Sequence, residues 1–434
     1  MATIGLGYGR DSLKLEYDEA RFDVLAPAET HSLPLNDAGI NTALENGIDS
    51  EGLDDVIVAG DSVLIVCSDA TRATGSAQII NLLVRRLIEN GMQSPDIAII
   101  FATGIHRAVR PQEKIDLLTS FIAQRIRTLD HDAYDESQLL QVGTMPRGAA
   151  INVNRALKEF PKVIITGAVG FHYFAGFTGG RKSICPGLAS ARTIEATHML
   201  ALDFEQGGRR KGVGAGLLDG NAVSEECERV AEIINPAFSI NAIVDEQGRV
   251  EKVFAGDWRA AHRQACGDYV RGHSVSINEK REVVIVSCGG APYDINMIQA
   301  HKALDMAANA CRDGGTIIFL AECSDGLGRT DFMKWFDSKD SRELEARLRA
   351  GYEVNGQTAW ALLTKTERFR VHLVTDLPAE QTQVMRMAKS RSIEEALAKV
   401  SPNARGYILP RGAALLPRVA SDKGAGDKAH FAKL

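Results

Sequence analysis

The sequence predicts an α/β protein built from two α/β domains, with the active site in the cleft between them. Three observations predict it. Short apolar runs alternate with amphipathic stretches along most of the chain, the pattern of strands and helices in turn. Several of these runs end directly in polar, glycine-containing loops. At 434 residues the chain is also longer than a single core usually supports. The expected partition is an N-terminal domain over 1–265, a hinge over 266–280 and a C-terminal domain over 281–434.

The first expected strand is Ser62 to Cys67 (SVLIVC), which runs into Ser68-Asp69-Ala70-Thr71-Arg72. Ser76 to Ile88 reads as a helix, with Ile79, Ile80, Leu83 and Leu87 on one face. Asp96 to Phe101 (DIAIIF) is a second strand, followed by the loop from Ala102 through Gly104 to His106 and Arg107. Pro111 sits where proline suits the first turn of a helix. Lys162 to Thr166 (KVIIT) is a third strand, leading into His172. The hinge region, from about Gly256 to Glu279, is polar and helical in part. A second series then begins: strand Glu282–Ser287, a Cys288-Gly-Gly turn, helix Asn296–Cys311 and strand Thr316–Leu320. Phe369–Thr375 and Tyr407–Leu409 are further strands, and the tail from Ala420 has weak patterning.

Three polar loops thus follow three strand ends, carrying Asp69 and Arg72, His106, and His172 with Lys182. In open α/β sheets ligands bind at the carboxyl ends of strands, where such loops converge. A cap or loop role would explain any one of them; three in succession point to a site.

The most informative stretch is HYFAGFTGGRKSICPG, His172 to Gly187, with His198 beyond it. Gly176, Gly179 and Gly180 lose more backbone freedom on folding than any other residue type would. Their clustering predicts a backbone lying close to a phosphate or a flat ring. Lys182 offers an amine for an anion or a covalent bond, and Phe171 is a candidate for shaping the pocket. A phosphate-binding P-loop is a poor reading, because Lys182 follows Arg181 and the glycine spacing is wrong. Gly5-Leu-Gly-Tyr-Gly has half of a dinucleotide fingerprint but no strand ahead of it. His106, His172 and His198 are too far apart for a helical two-histidine zinc motif. Paired imidazoles in separate loops suit proton transfer near neutral pH.

Composition excludes several classes. The net charge of −6 gives no support to nucleic acid as a partner, and Arg209-Arg210-Lys211 reads as a solvated turn. No run of 18 apolar residues suggests a membrane span, and the first residues lack signal-peptide character. The expectation is therefore a cytoplasmic protein with no membrane partner. Seven scattered cysteines with no CxxC pair argue against disulfides and structural zinc. Cys185 alone, three residues after Lys182, lies near the expected site.

Together, HYFAGFTGGRK with Pro186-Gly187, the ATGIHR loop, the DATR loop and His198 resemble the lactate racemase family. The likeness keeps its order from Asp69 to the Gln299/Lys302 region. It implies a nickel-pincer nucleotide cofactor, pyridinium-3-thioamide-5-thiocarboxylic acid mononucleotide, made by separate biosynthetic enzymes. Lys182 matches the lysine that bonds covalently to it, and His198 the nickel ligand. A single imidazole completes a square-planar nickel site whose other donors are soft. His106 and His172 match the acid/base pair that serves hydride removal and return at C2 of a 2-hydroxy acid. Arg72 resembles the arginine beside the reacting centre; Asp69, Thr71 and the three glycines would hold the nucleotide. Gln299 and Lys302, three apart on a helix, resemble the pair that clamps the substrate carboxylate. The implied function is a 2-hydroxy acid racemase or epimerase. The alternatives are a nickel or pincer-nucleotide carrier, and an enzyme using Lys182 as a Schiff base.

Overall fold

The structure, a computed structural model, describes residues 1–26, 33–70, 73–353 and 355–420. The chain divides into two compact units. Among the described residues, those within 33–201 and 211–269 form one, and those within 1–26, 202–210 and 270–420 form the other. The chain thus crosses from one unit to the other between 26 and 33 and at 201/202, 210/211 and 269/270. The stretch read as a hinge holds the helix Ala260–His273 and the strand Ser274–Ile277.

The unit of residues 33–201 and 211–269 is organised on a six-stranded sheet. Its order is Val250–Gly256, Phe238–Val244, Lys162–Ala168, Val63–Ser68, Ile97–Ala102, Arg127–Asp130. All neighbours are parallel except the first pair. Every residue of Val63–Ser68 is buried, as expected of a parallel strand covered on both faces. The helix Ser76–Glu89 buries Ile79, Ile80, Leu83, Val84 and Leu87, the face read from the sequence. The chain starts the sheet at Val63–Ser68, extends it to one side, then returns to lay Lys162–Ala168 on the other side. That reversal is the switch point at which open α/β sheets leave a crevice.

The second unit carries an all-parallel sheet in the order Ala388–Ser390, Arg370–Val374, Cys311–Leu320, Arg281–Ser287, Gly406–Leu409, Phe22–Val24. The helix expected over 296–311 stops at Ala307, and Cys311 already begins the next strand. Gly5 and Gly7 lie within the first strand of a hairpin, Ala2–Tyr8 with Asp11–Tyr17, so they form no phosphate loop. Arg209 corrects the solvated-turn reading: it pairs with the buried Asp305 at 2.8 Å. Asp305 also receives Lys365 at 2.6 Å. The tail beyond Ala420 lies outside the described residues.

Candidate active site

Three adjacent parallel strands, Lys162–Ala168, Val63–Ser68 and Ile97–Ala102, deliver the three loops at their carboxyl ends. Asp69 follows the central strand immediately and is buried. Its Oδ2 accepts a 2.6 Å hydrogen bond from Nδ1 of His106 in the neighbouring loop. With Nδ1 bearing the proton, Nε2 of neutral His106 presents a lone pair. The sequence reading gave Asp69 to the nucleotide; the structure pairs its carboxylate with a histidine. Thr71 and Arg72 lie outside the described residues.

The His106 loop is tied to the Lys182 segment. Gly104 N–H donates to the Gly187 carbonyl at 2.8 Å, and Thr103 Oγ1 donates to the His131 carbonyl at 3.0 Å.

The His172 segment forms a small hairpin, Phe171–His172 pairing with Gly176–Phe177, then a tight turn over Gly180–Ser183. Ser183 Oγ anchors that turn to the strand by donating to the Thr166 carbonyl at 3.1 Å. The glycines answer mainly to the protein. A Cβ on Gly176 would lie 1.9 Å from the Leu217 carbonyl oxygen, and one on Gly180 2.5 Å from the His262 ring. Both positions have positive φ, +80° and +49°. Gly179 packs on the Ala168 carbonyl. Phe171 is buried against Phe177 and Tyr269.

Phe174 lies among three of the candidate side chains. Its ring centroid is 4.5 Å from that of His172 and 4.9 Å from that of His198, both edge-on, and 5.8 Å from Lys182 Nζ. Asn221 fixes the same residue from below, donating from Nδ2 to the Phe174 carbonyl at 2.8 Å. Sequence reasoning missed both residues. Phe174 stood inside the most specific motif, but nothing in its spacing marked it as the point of convergence. His172 Nδ1 accepts from Ala175 N–H at 3.2 Å, so neutral His172 carries its proton on Nε2. The two imidazoles are thus held in opposite tautomers.

His198 stands near the end of the helix Ala191–Met199. Its surface is partly exposed, yet close packing and the Lys182 charge press its pKa down to about 3. Packing is the larger cause, and His198 is neutral near pH 7, the form that ligates metals. Among the described residues no three His, Cys, Asp or Glu side chains come together to hold a metal. His198 and the Lys182 amine lie beside one ring, that of Phe174, as a single imidazole donor and a nearby amine. That donor set fits an organic ligand that chelates nickel and is fixed by a nearby amine.

In the other unit Gln299 and Lys302 occupy the first turns of the helix Met297–Ala307. Asn296 caps its start, and Lys302 Nζ donates to Gln299 Oε1 at 2.6 Å. All seven cysteines are buried and free. Among the described residues no helix is long and apolar enough to cross a membrane.

A doubly wound sheet with histidine and carboxylate side chains on the loops at its carboxyl edge is the architecture of an α/β enzyme. The comparisons narrow the class. Residues 8–208 match the lactate racemase N-terminal domain and residues 277–412 the lactate racemase C-terminal domain. The chain is 29% identical over 432 residues to a lactate racemase of Thermoanaerobacterium thermosaccharolyticum, covering 96% of this chain and 100% of that one. It is 31% identical over 337 residues to a lactate racemase of Lactiplantibacillus plantarum, covering 76% and 77%. The lactate racemase apoprotein structure from T. thermosaccharolyticum superposes with a TM-score of 0.89 at 28% identity, over 96% of this chain and 100% of that one. A Thermotoga maritima protein shares the fold, with a TM-score of 0.67 at 20% identity, over 89% and 99%. The chain belongs to the lactate racemase family and is an isomerase.

Proposed function

We propose that the protein inverts the C2 centre of a lactate-like 2-hydroxy acid, using a nickel-pincer nucleotide bonded to Lys182 and ligated through His198. The observation that carries this is the Phe174 ring, which brings Lys182, His198 and His172 to one point. When bound, the group supplies an acceptor for the C2 hydrogen as hydride, a route suited to a carbon whose proton is poorly acidic beside a carboxylate.

The chain's own residues handle the proton. His106, with Nδ1 committed to Asp69, accepts the substrate hydroxyl proton at Nε2. The buried Asp69 carboxylate supports the imidazolium that results. His172 faces the substrate oxygen with Nε2–H. One imidazole starts as the cation and the other neutral, with His172 protonated on Nδ1 as well as Nε2 when it is the acid, and the opposite enantiomer interchanges them. Arg72 stabilises the developing alkoxide, while Gln299 and Lys302 bind the substrate carboxylate. Thr71 and Gly179 are assigned to the nucleotide. A carrier of nickel or of the nucleotide would need Lys182 and His198 but not the Asp69–His106 pair, which favours catalysis.

The test is racemisation of L-lactate in D2O by protein co-produced with the cofactor-making enzymes. The expected product is a racemate that retains hydrogen at C2. Deuterium entering C2 would replace the hydride route with proton abstraction. No racemisation of lactate or of other 2-hydroxy acids by loaded protein would leave the carrier reading.

A further inference from the structure

We propose that Arg181 and His262 form a positioning unit that sets the orientation and tautomer of His172 and seats the Lys182 turn. The inference rests on the reading of His172 as an acid/base residue.

Arg181 immediately precedes Lys182, and its side chain is among the largest that are fully buried. A buried guanidinium is costly unless a carboxylate meets it, and none of the described carboxylates pairs with it. Its Nη2 donates to the Ala175 carbonyl at 2.8 Å. Its Nη1 lies 3.3 and 3.5 Å from the two ring nitrogens of His262, and its Nε has no partner. Arg181 therefore contributes little to folding that an apolar side chain of similar size would not. What it does hold is residue 175, by the carbonyl, and the N–H of that same residue fixes Nδ1 of His172.

His262 secures the other side. It projects from the helix Ala260–His273, and its Nε2 lies 2.9 Å from the Thr178 carbonyl oxygen. A carbonyl only accepts, so this nitrogen carries the proton. Burial first, and the Arg181 charge second, press the His262 pKa down to about 3, so the ring stays neutral beside the guanidinium. The ring packs on Gly180 in place of a side chain. Residues 175, 178 and 180 are thus fixed by two side chains that occupy no place in the proposed chemistry. Cys266 Sγ, 3.4 Å from His262 Nε2, and the Glu228 and Arg263 side chains around the same small cavity close the unit from behind.

The experiment compares full-length Arg181→Met with the parent protein, both loaded with cofactor. Three quantities are read: thermal midpoint, kcat and KM on L-lactate, and the ¹⁵N shifts of the His172 ring, assigned with His172→Gln. Positioning predicts a thermal midpoint equal to or above that of the parent. It also predicts kcat lower by about tenfold to a hundredfold with KM little changed, and His172 nitrogen shifts that move toward each other as the tautomers mix. A fall in thermal midpoint with kcat and tautomer intact would overturn it, leaving a structural residue. If Arg181→Met does not fold, His262 decides. His262→Gln keeps a donor for Thr178 and should preserve the tautomer, whereas His262→Leu should lose it; equal tautomers in the two would overturn the proposal. Full activity in His172→Gln would sink the acid/base reading instead, while the ¹⁵N shifts still report on Arg181.

Discussion

Asp69 and His106 face each other across 2.6 Å, and at this scale the sequence was half legible. Both residues were marked as site candidates because each follows a strand, but their pairing depends on which strands are neighbours. Separations of 37 residues carry no such information. Asp69→Asn keeps the size and removes the charge that supports a histidine cation. In triads the same exchange lowers kcat by about 10⁴-fold, and here kcat should fall at least about a hundredfold with nickel content unchanged. Steady-state kinetics beside metal analysis checks this; unchanged kcat would show that Asp69 plays no part in proton transfer. Phe174→Leu should leave the fold intact yet lower nickel and adduct occupancy, since the surface shared by His198 and Lys182 is lost. Occupancy equal to the parent would contradict that role.

The helix Ala222–Ile234 shows what one capping residue does for a site in another segment. Asn221 Oδ1 accepts from the N–H groups of Val223 and Ser224 at 3.1 and 3.3 Å. Its Nδ2 donates to the carbonyls of Phe174 and Leu217 at 2.8 and 3.1 Å. Loss of a cap costs about 1 kcal/mol and each buried hydrogen bond about 1 kcal/mol more. Asn221→Ala should therefore destabilise by about 2–3 kcal/mol in urea unfolding. Asn221→Ser, which keeps a cap acceptor and loses the amide donor, should fall between. A Ser variant no better than Ala would show that the cap contributes nothing.

Elements with strong apolar runs, such as Val63–Ser68 and Arg281–Ser287, were legible within one or two residues because burial on both faces keeps residues 63–67 and 283–286 apolar. The hairpin Ala2–Tyr8 with Asp11–Tyr17 was not, since its inward face is carried by few residues, among them the buried Leu6 and Leu15. The glycines of residues 176–180 were read for a ligand. Their space is taken largely by Leu217 and His262, which lie 41 and 82 residues further along the chain.

Over the whole molecule, buried histidines contribute to the response to acid. His262 and His301 are pressed down to about 3, and His131 is also lowered, in each case mainly by burial. The unfolded chain takes up these protons near pH 6.5 while the folded chain resists them. Stability is therefore full above pH 6.5 and declines as pH falls toward 3, by up to about 1.4 kcal/mol per pH unit for each histidine. Asp305, held below the usual carboxylate range despite burial by Arg209 and Lys365, adds to the loss only below about pH 4. Urea midpoints from pH 7 to 4.5 should decline, and His301→Gln should flatten the slope. A slope unchanged by that substitution would show that His301 protonates alike in both states.

Intact mass and nickel content after co-expression with the cofactor-making enzymes, for the parent, Lys182→Ala and His198→Ala, decide whether Lys182 and His198 hold the cofactor. A mass increase localised to Lys182 and about one nickel per chain are expected in the parent. Lys182→Ala should lose the adduct, and His198→Ala should keep the adduct but hold nickel weakly. Folded parent protein with neither adduct nor nickel, from a pathway that loads another family member, and with no non-covalent cofactor by native mass spectrometry, would contradict that role.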